Sequence, residues 1–421
     1  MILILKNITR LLTPLGKSPI KGKDMNSLKI IDDAFLICEN GTITHIGEMK
    51  DCPKFSVDSF EDSQIETIDC TGKTVVPSFV DSHTHLVFGG YRENEFMWRM
   101  SGMSYMDIMQ KGGGIAKSVE LTSEATEEEL FKVAKQRVKD MIHQGIGAIE
   151  IKSGYGLDCD TELKQLRVIN RLKSECDAEI VSTFMGAHSI PKNYKQKEKG
   201  SGEYIDFIIK EVLPIVQKEK LAEFVDIFCE KGVFSISESE NLLSHAMELG
   251  FKTKIHADEI VTLGGAELAV KIGCTSADHL LHASEKGIKN LANSNTIATL
   301  LPLTAFCLKE QFANARKLID SGAAVSIATD FNPGSCFSFS IPLLIALSVI
   351  KMNMTINEII TALTLNGACA IDRGETLGTL EVGKKANITI LKYPSENFLA
   401  YHTGINIVEK TIINGKVIPA N

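Results

Sequence analysis

No two cysteines in this chain are spaced as Cys-x-x-Cys. The ten that exist are scattered from Cys38 to Cys369, and several, such as Cys229 and Cys274, stand inside apolar runs. That distribution argues against a disulfide framework; buried free thiols in a reducing cytoplasm are the expected state. No apolar run is long enough for a membrane span. The opening stretch Met1–Leu5 soon meets Lys6 and Arg10, so it reads as a strand rather than a signal peptide. There is no basic stripe either. The 45 lysines and arginines are dispersed among 53 acidic residues, for a net charge of −8, which argues against a nucleic-acid partner. The chain also lacks internal repeats, low-complexity linkers and a Gly-rich phosphate loop. Gly112-Gly113-Gly114 has the wrong spacing and no clear strand before it, which weakens the doubly wound nucleotide-binding alternative. The acidic cluster Glu127-Glu128-Glu129 reads as a solvated helix start.

What is present is an ordinary globular composition, 44% hydrophobic, in 421 residues, enough for a large core and more than one domain. Eight short apolar runs cross the middle of the chain: Thr74–His85, Gly147–Ser153, Glu179–His188, Phe224–Cys229, Lys252–His256, Ser276–Leu281, Thr296–Pro302 and Val325–Asp330. Between them lie helical patterns. In one, Leu130, Ala134, Val138 and Met141 share a face, Thr126 and Glu129 form a capping box, and Gly145 marks the stop. A second pattern carries Leu163, Leu166 and Ile169. A third carries Leu242, Leu243 and Met247 and stops at Gly250. Strands alternating with helices predict a (β/α)₈ TIM-like barrel over residues 74–378. The ends differ. Residues 1–73 and 379–421 hold short strand-like pieces with the hairpin signals Asn40-Gly41 and Asn414-Gly415. Neither end suffices for a sheet alone, so the two are predicted to pair into one small β-sandwich domain.

The chemistry concentrates where the runs end. In Asp81-Ser82-His83-Thr84-His85 the two histidines are two residues apart, so in an extended strand both aim the same way. His256 and Asp330 end two other runs. Three histidines and one carboxylate suit zinc or iron, leave a position for water and lower its pKa. In a barrel of this kind the catalytic groups sit at the C-terminal ends of the strands, which would gather His83, His85, His256, His279 and Asp330 at one mouth. Each alone has a plain structural reading, His279 as a core histidine and Asp330 as a helix cap; the coincidence of all five favours a site. Glu259, three residues after His256, could move a proton from water to a leaving nitrogen, and His279 could stabilise an oxyanion or orient the nucleophile. Such a set suits hydrolysis of an amide-like C–N bond.

The ligand pattern on strands one, five and eight resembles the amidohydrolase superfamily. More specifically, Val80–Arg92, Glu150–Leu157, Thr161–Arg167, Ser182–His188, Ile255–Glu259, Ser276–His279 and Ala328–Ser335 resemble the motifs of its imidazolonepropionase family. That resemblance implies ring opening of 4-imidazolone-5-propanoate to N-formimidoyl-L-glutamate, in histidine degradation. It also implies substrate contacts at Arg92, Tyr155, His188, Glu259, Asn332, Gly334 and Ser335, one divalent ion per chain (Zn²⁺, or iron as Fe²⁺/Fe³⁺), and a cytoplasmic homodimer. Arg92 would grip the propionate as a two-pronged fork, and the N–H groups at Gly334 and Ser335 would help. Two-metal relatives usually carry a bridging carboxylated lysine at the end of strand four; here Lys231 falls just past that strand, which predicts one ion. The chain departs from the family at Ser78, in the apolar segment Cys336–Phe339, and at Asn387. Two other readings remain open at this point. One is a deaminase or another cyclic amidohydrolase acting on a pyrimidine, purine or hydantoin. The other is a non-catalytic metal-binding scaffold.

Overall fold

The protein is described from a computed structural model, covering residues 1–53, 65–103, 107–108 and 111–419. Its strands fall into two sheets. The first begins with β1 (Ile2–Thr13), β2 (Lys29–Glu39), β3 (Thr42–Glu48), β4 (Ile65–Asp69) and β5 (Thr74–Pro77). The second holds β6 (Phe79–Asp81), β7 (Ile146–Lys152), β8 (Glu179–Ala187), β9 (Phe224–Cys229), β10 (Lys252–Ala257), β11 (Ser276–His279), β12 (Ile297–Leu300) and β13 (Val325–Ile327). The chain then returns to the first sheet through β14 (Ile388–Leu391), β15 (Val408–Ile413) and β16 (Lys416–Val417).

The two chain ends join where β14 pairs antiparallel with β5, which itself runs parallel to β1. Both predicted hairpins form. Asn40 and Gly41 have φ of +48° and +83°, and Asn414 and Gly415 have +49° and +73°. Two successive positive φ values are what a two-residue turn between twisted strands requires. Leu3, Leu5, Leu36 and Ile388 bury one face of this sheet, and Ile2, Ile4, Phe35 and Ile37 the other.

The run Thr74–His85 proves to be two strands in two sheets. Ser78 N–H donates to Asn387 in the end sheet, whereas Phe79 N–H donates to Gly145 in the barrel. Both halves are buried, so hydrophobicity carries no mark of the break.

β6 to β13 are parallel and neighbour one another in sequence order, as a TIM barrel requires. The helices between them cover the outside. Glu127–Ile142 opens with the Thr126/Glu129 capping box, and left-handed Gly145 and Gly250 follow their helices. Along β7, Ile149 and Ile151 pack outward in the main core while Glu150 and Lys152 face inward, also fully buried. Closure is made beyond the regular strands. Asp330 N–H donates to His83 O at 3.0 Å and His85 N–H to Phe331 O at 2.9 Å. No helix among the described residues is long and apolar enough to cross a membrane.

Asn366 ties the segment after β1 to the barrel. Its Oδ1 accepts from Ile20 N–H at 2.8 Å, and its Nδ2 donates to Ile20 O and Val325 O, both at 2.9 Å. Asn366→Ala would strand these largely buried groups. A loss of about 2–4 kcal/mol is expected in chemical denaturation. A loss below about 0.5 kcal/mol would mean that water replaces the amide.

Candidate active site

The first and last barrel strands deliver His83, His85 and Asp330 to one point, and β10 brings His256. Donor atoms of His83, His85 and His256 lie within 4.8 Å of one another, and so do those of His83, His279 and Asp330. His83 Nε2 and His85 Nε2 are each 3.6 Å from Asp330 Oδ1. His83 Nε2 and His256 Nε2 are buried without a hydrogen-bond partner among the described residues. Orphaned buried nitrogens are costly unless something else engages them. A cation among His83, His85, His256 and Asp330 would do so, and the donor set suits zinc or iron. His279 and Asp330 are held in the left-handed region, with φ of +77° and +51°. Residues other than glycine are rare there, so the surrounding fold dictates these positions.

Electrostatics suit neutral imidazole ligands. Burial, reinforced by neighbouring positive groups, drives His83, His85 and His279 well below their ordinary values. His256 differs: burial opposes its charge, but Asp226, with Oδ2 at 3.1 Å from Nδ1, outweighs it and raises the value. Burial also pushes the Asp330 carboxyl up to about 6, against a 2.7 Å hydrogen bond from Thr304. A bound cation acts in the opposite direction on such a group.

Beneath these candidate ligands lies a layer that the sequence reading missed. Lys152 is fully buried, 2.7 Å from Glu150 Oε1, 2.9 Å from Asp226 Oδ2 and 4.0 Å from Asp278 Oδ2. Burial disfavours its charge, but Asp226, Glu150 and Asp278 outweigh that and hold the ammonium above its usual range. Asp278 Oδ2 also meets His83 Nδ1 at 2.7 Å. The same carboxylates thus orient two histidines and neutralise one lysine. The available signal was a charged residue at an inward position of an otherwise apolar strand, as at Lys152 and Asp226.

The mouth opens into a cleft of about 1140 Å³ whose lining includes Arg92, Tyr155, His188, Glu259, Asn332, Gly334 and Ser335. Each is held locally. Glu162 accepts from the N–H groups of Gly154, Gly156 and Leu157, and Gln165 from that of Tyr155, so the first turns of the helix Cys159–Glu175 fix the loop. Gly154 has φ +113° and lies against His188, where a Cβ would crowd Nδ1 at 3.0 Å. His188 stacks on His85 with centroids 4.9 Å apart. Burial, with His256 second, lowers its value to about 3. Asp258 accepts from the N–H groups of Leu263, Gly264, Gly265 and Ala266, anchoring the loop that carries Glu259. Burial, with Asp330 second, pushes the Glu259 carboxyl up to about 8. Its side chain remains 16% exposed at the cleft and lies 3.6 Å from His279 Nδ1.

Two details differ from the sequence expectation. Arg92 is not an open fork: Nε and Nη2 both donate to Glu95, and Nη1 lies towards Gly334 with a long 3.5 Å hydrogen bond to Ser118 Oγ. The N–H groups of Gly334 and Ser335 donate to Asn332 Oδ1 at 2.9 and 2.8 Å. Lys231 lies exposed in the turn after β9.

A closed parallel barrel with histidine and carboxylate donors at its C-terminal mouth defines a hydrolase of the amidohydrolase type. The amidohydrolase family model matches residues 74–418. The chain is 55% identical over 415 residues to the imidazolonepropionase of Clostridium tetani, covering 99% of this chain and 97% of that protein. It is 48% identical over 421 residues to the imidazolonepropionase of Porphyromonas gingivalis, covering 100% and 98%. The chain therefore belongs to the amidohydrolase family and, within it, to the imidazolonepropionases. Among solved structures, a triazine hydrolase variant aligns with a TM-score of 0.76 at 14% identity, covering 100% of this chain and 95% of that one. Escherichia coli guanine deaminase aligns at 0.70 and 13%, covering 100% and 99%. At such identities the likeness concerns the fold alone.

The contact between Asp278 and His83 generates a prediction. Asp278→Asn keeps the shape but removes the charge that orients the imidazole. Zinc affinity is expected to fall about 10–100-fold in a competition titration against a chelating dye. An unchanged affinity would mean that Asp278 serves only the buried lysine.

Proposed function

We propose that this chain hydrolyses the ring amide of 4-imidazolone-5-propanoate to N-formimidoyl-L-glutamate in histidine degradation. One observation carries the reading: a single cleft holds a metal-donor set, a carboxyl poised for proton transfer and an arginine-bearing wall. Identity of 48–55% to imidazolonepropionases over nearly the whole chain supports it. In this reading His83, His85, His256 and Asp330 hold one divalent ion, zinc or iron. Such an ion would supply Lewis acidity, which makes water nucleophilic near neutral pH.

The chain's own residues do the rest. Glu259 accepts a proton from the attacking water and passes it to the ring nitrogen as the C–N bond breaks. Burial pushes that carboxyl up to about 8, which suits it to hold the proton it delivers to the leaving nitrogen. His279, with Nδ1 lacking a hydrogen-bond partner among the described residues and facing Glu259, steadies the developing oxyanion or the attacking water. Asp330 completes the polar floor against which the water is oriented. Tyr155 and His188 hold the ring, and Arg92, Asn332, Gly334 and Ser335 form the wall that receives the propionate. A homodimer in the cytoplasm belongs to the same proposal. A purine or pyrimidine deaminase is the weaker reading, because a neutral base makes no use of the two arginines, Arg92 and Arg99, that line the cleft against one buried carboxylate, Glu95.

Glu259→Gln keeps the size and loses the proton acceptor. Turnover of the imidazolone is expected to drop by about 10²–10⁴-fold while metal content stays the same. Loss of metal along with activity would make Glu259 a ligand, and near-normal turnover would pass the role to Asp330 or His279. Chelation should abolish turnover, with zinc or iron(II) restoring it at one ion per chain. Full activity in the metal-free protein, or two tightly bound ions per chain, would refute that arrangement.

A further inference from the structure

The acidic end of the substrate needs a cation, yet the arginine expected to serve is largely committed. Glu95 is buried and meets Arg92 at two nitrogens, with Nε–Oε2 at 2.9 Å. Glu95 Oε2 also accepts from Gly114 N–H at 2.8 Å. Although burial raises its carboxyl, the bonds from Arg92 and Gly114 outweigh that and hold it below its ordinary value. Arg92 therefore faces the cleft with its charge matched and only Nη1 to offer, which makes one long 3.5 Å hydrogen bond to Ser118 Oγ. The main-chain donors at Gly334 and Ser335 are spent on Asn332.

A second arginine, Arg99, stands on the helix Glu93–Met100 that follows Arg92. Arg92 is the N-cap of that helix and Arg99 lies in its last turn, and both side chains line the cleft. Arg99 Nη2 donates to Gly334 O at 2.9 Å. Gly334 is also the residue that faces Arg92 Nη1, where any Cβ would collide with the guanidinium. The two arginines thus meet at one corner of the cleft. Among the described residues no carboxylate oxygen lies within 4.0 Å of Arg99, although its guanidinium is half-buried. A cation removed from water without a paired anion is unfavourable, and an anionic ligand relieves that cost. A guanidinium also presents several donors to a carboxylate at once.

We propose that Arg99 is a second carboxylate-binding arginine, which receives the substrate's propionate together with Arg92 Nη1 and so selects an acidic tail at this corner. The assignment rests on the function proposed above. It makes Arg99 the group that supplies the positive charge in excess of what Glu95, shared electrostatically by both arginines, offsets, with Arg92 supplying direction.

The test reads binding as well as turnover. The probes are 3-(imidazol-4-yl)propanoate and 4-ethylimidazole, which differ in the carboxylate, titrated calorimetrically into metal-loaded protein. The wild type is expected to prefer the acid by about 10-fold or more, and Arg99→Gln to lose most of that preference. Arg99→Lys should recover part of it, since charge returns without the fork. In turnover of 4-imidazolone-5-propanoate, Arg99→Gln should raise KM by about 10–100-fold with a smaller change in kcat. Arg99→Gln would overturn the assignment if its preference for the acid survived, or if both probes weakened equally. The latter result would make Arg99 a support for the Gly334 turn alone. Should the wild type bind the acid selectively but fail to open the imidazolone, the proposed reaction falls while the carboxylate site stands.

Discussion

The seam of the barrel is the constraint on which the rest depends. β6 and β13 are short, and the hydrogen bonds that close them into one sheet come from residues just past their ends: Asp330 to His83, and His85 to Phe331. The backbone that completes the barrel is therefore the backbone that carries three of the four candidate ligands. Closure and ligand assembly are one event. The left-handed conformation at Asp330 follows, because the chain must turn sharply there while its N–H stays paired across the seam.

Behind the seam is an electrostatic problem with a shared solution. The barrel interior beneath the candidate cation site collects Glu150, Asp226 and Asp278, all buried. Lys152 offsets them, and Lys254, hydrogen-bonded to Ser82 O at 3.0 Å, adds a second buried cation nearby. Asp226 and Asp278 then face the Nδ1 atoms of His256 and His83, which leaves each Nε2 turned towards the common point. Buried charge is unfavourable in isolation, and this layer avoids isolation by giving each carboxylate more than one partner. Orientation of the histidines is thus inherited from the packing of charges beneath them.

Specificity is built differently. Structures sharing 13–14% identity share the barrel. The cleft wall is carried by loops and by the helix Glu93–Met100, whose residues lie outside the barrel strands. Glu162, Gln165, Asp258 and Asn332 each spend a side chain holding the loop N–H groups around them. Those bonds turn flexible connections into fixed walls, so that a change of a few loop residues can alter the substrate without disturbing the seam.

Periodicity by itself determined the alternation of strands and helices, both Asn-Gly hairpins and the residue types at the strand ends, because these features are local. Turn chemistry requires positive φ at two neighbouring positions, and a strand repeats its faces every second residue. Gathering His83, His85, His256, His279 and Asp330 needed only the general rule that barrel sites sit at C-terminal strand ends. Other features had no local mark. The break between β5 and β6 lies within one continuous apolar run, since both sheets bury it. Lys152 and Asp226 look like isolated charges until the barrel closes around them. The commitment of Arg92 to Glu95, and of the Gly334 and Ser335 N–H groups to Asn332, removed donors that the sequence offers freely. Tertiary structure decided these points because a side chain's chemistry depends on what already occupies its hydrogen bonds, and those partners come from segments distant in the chain.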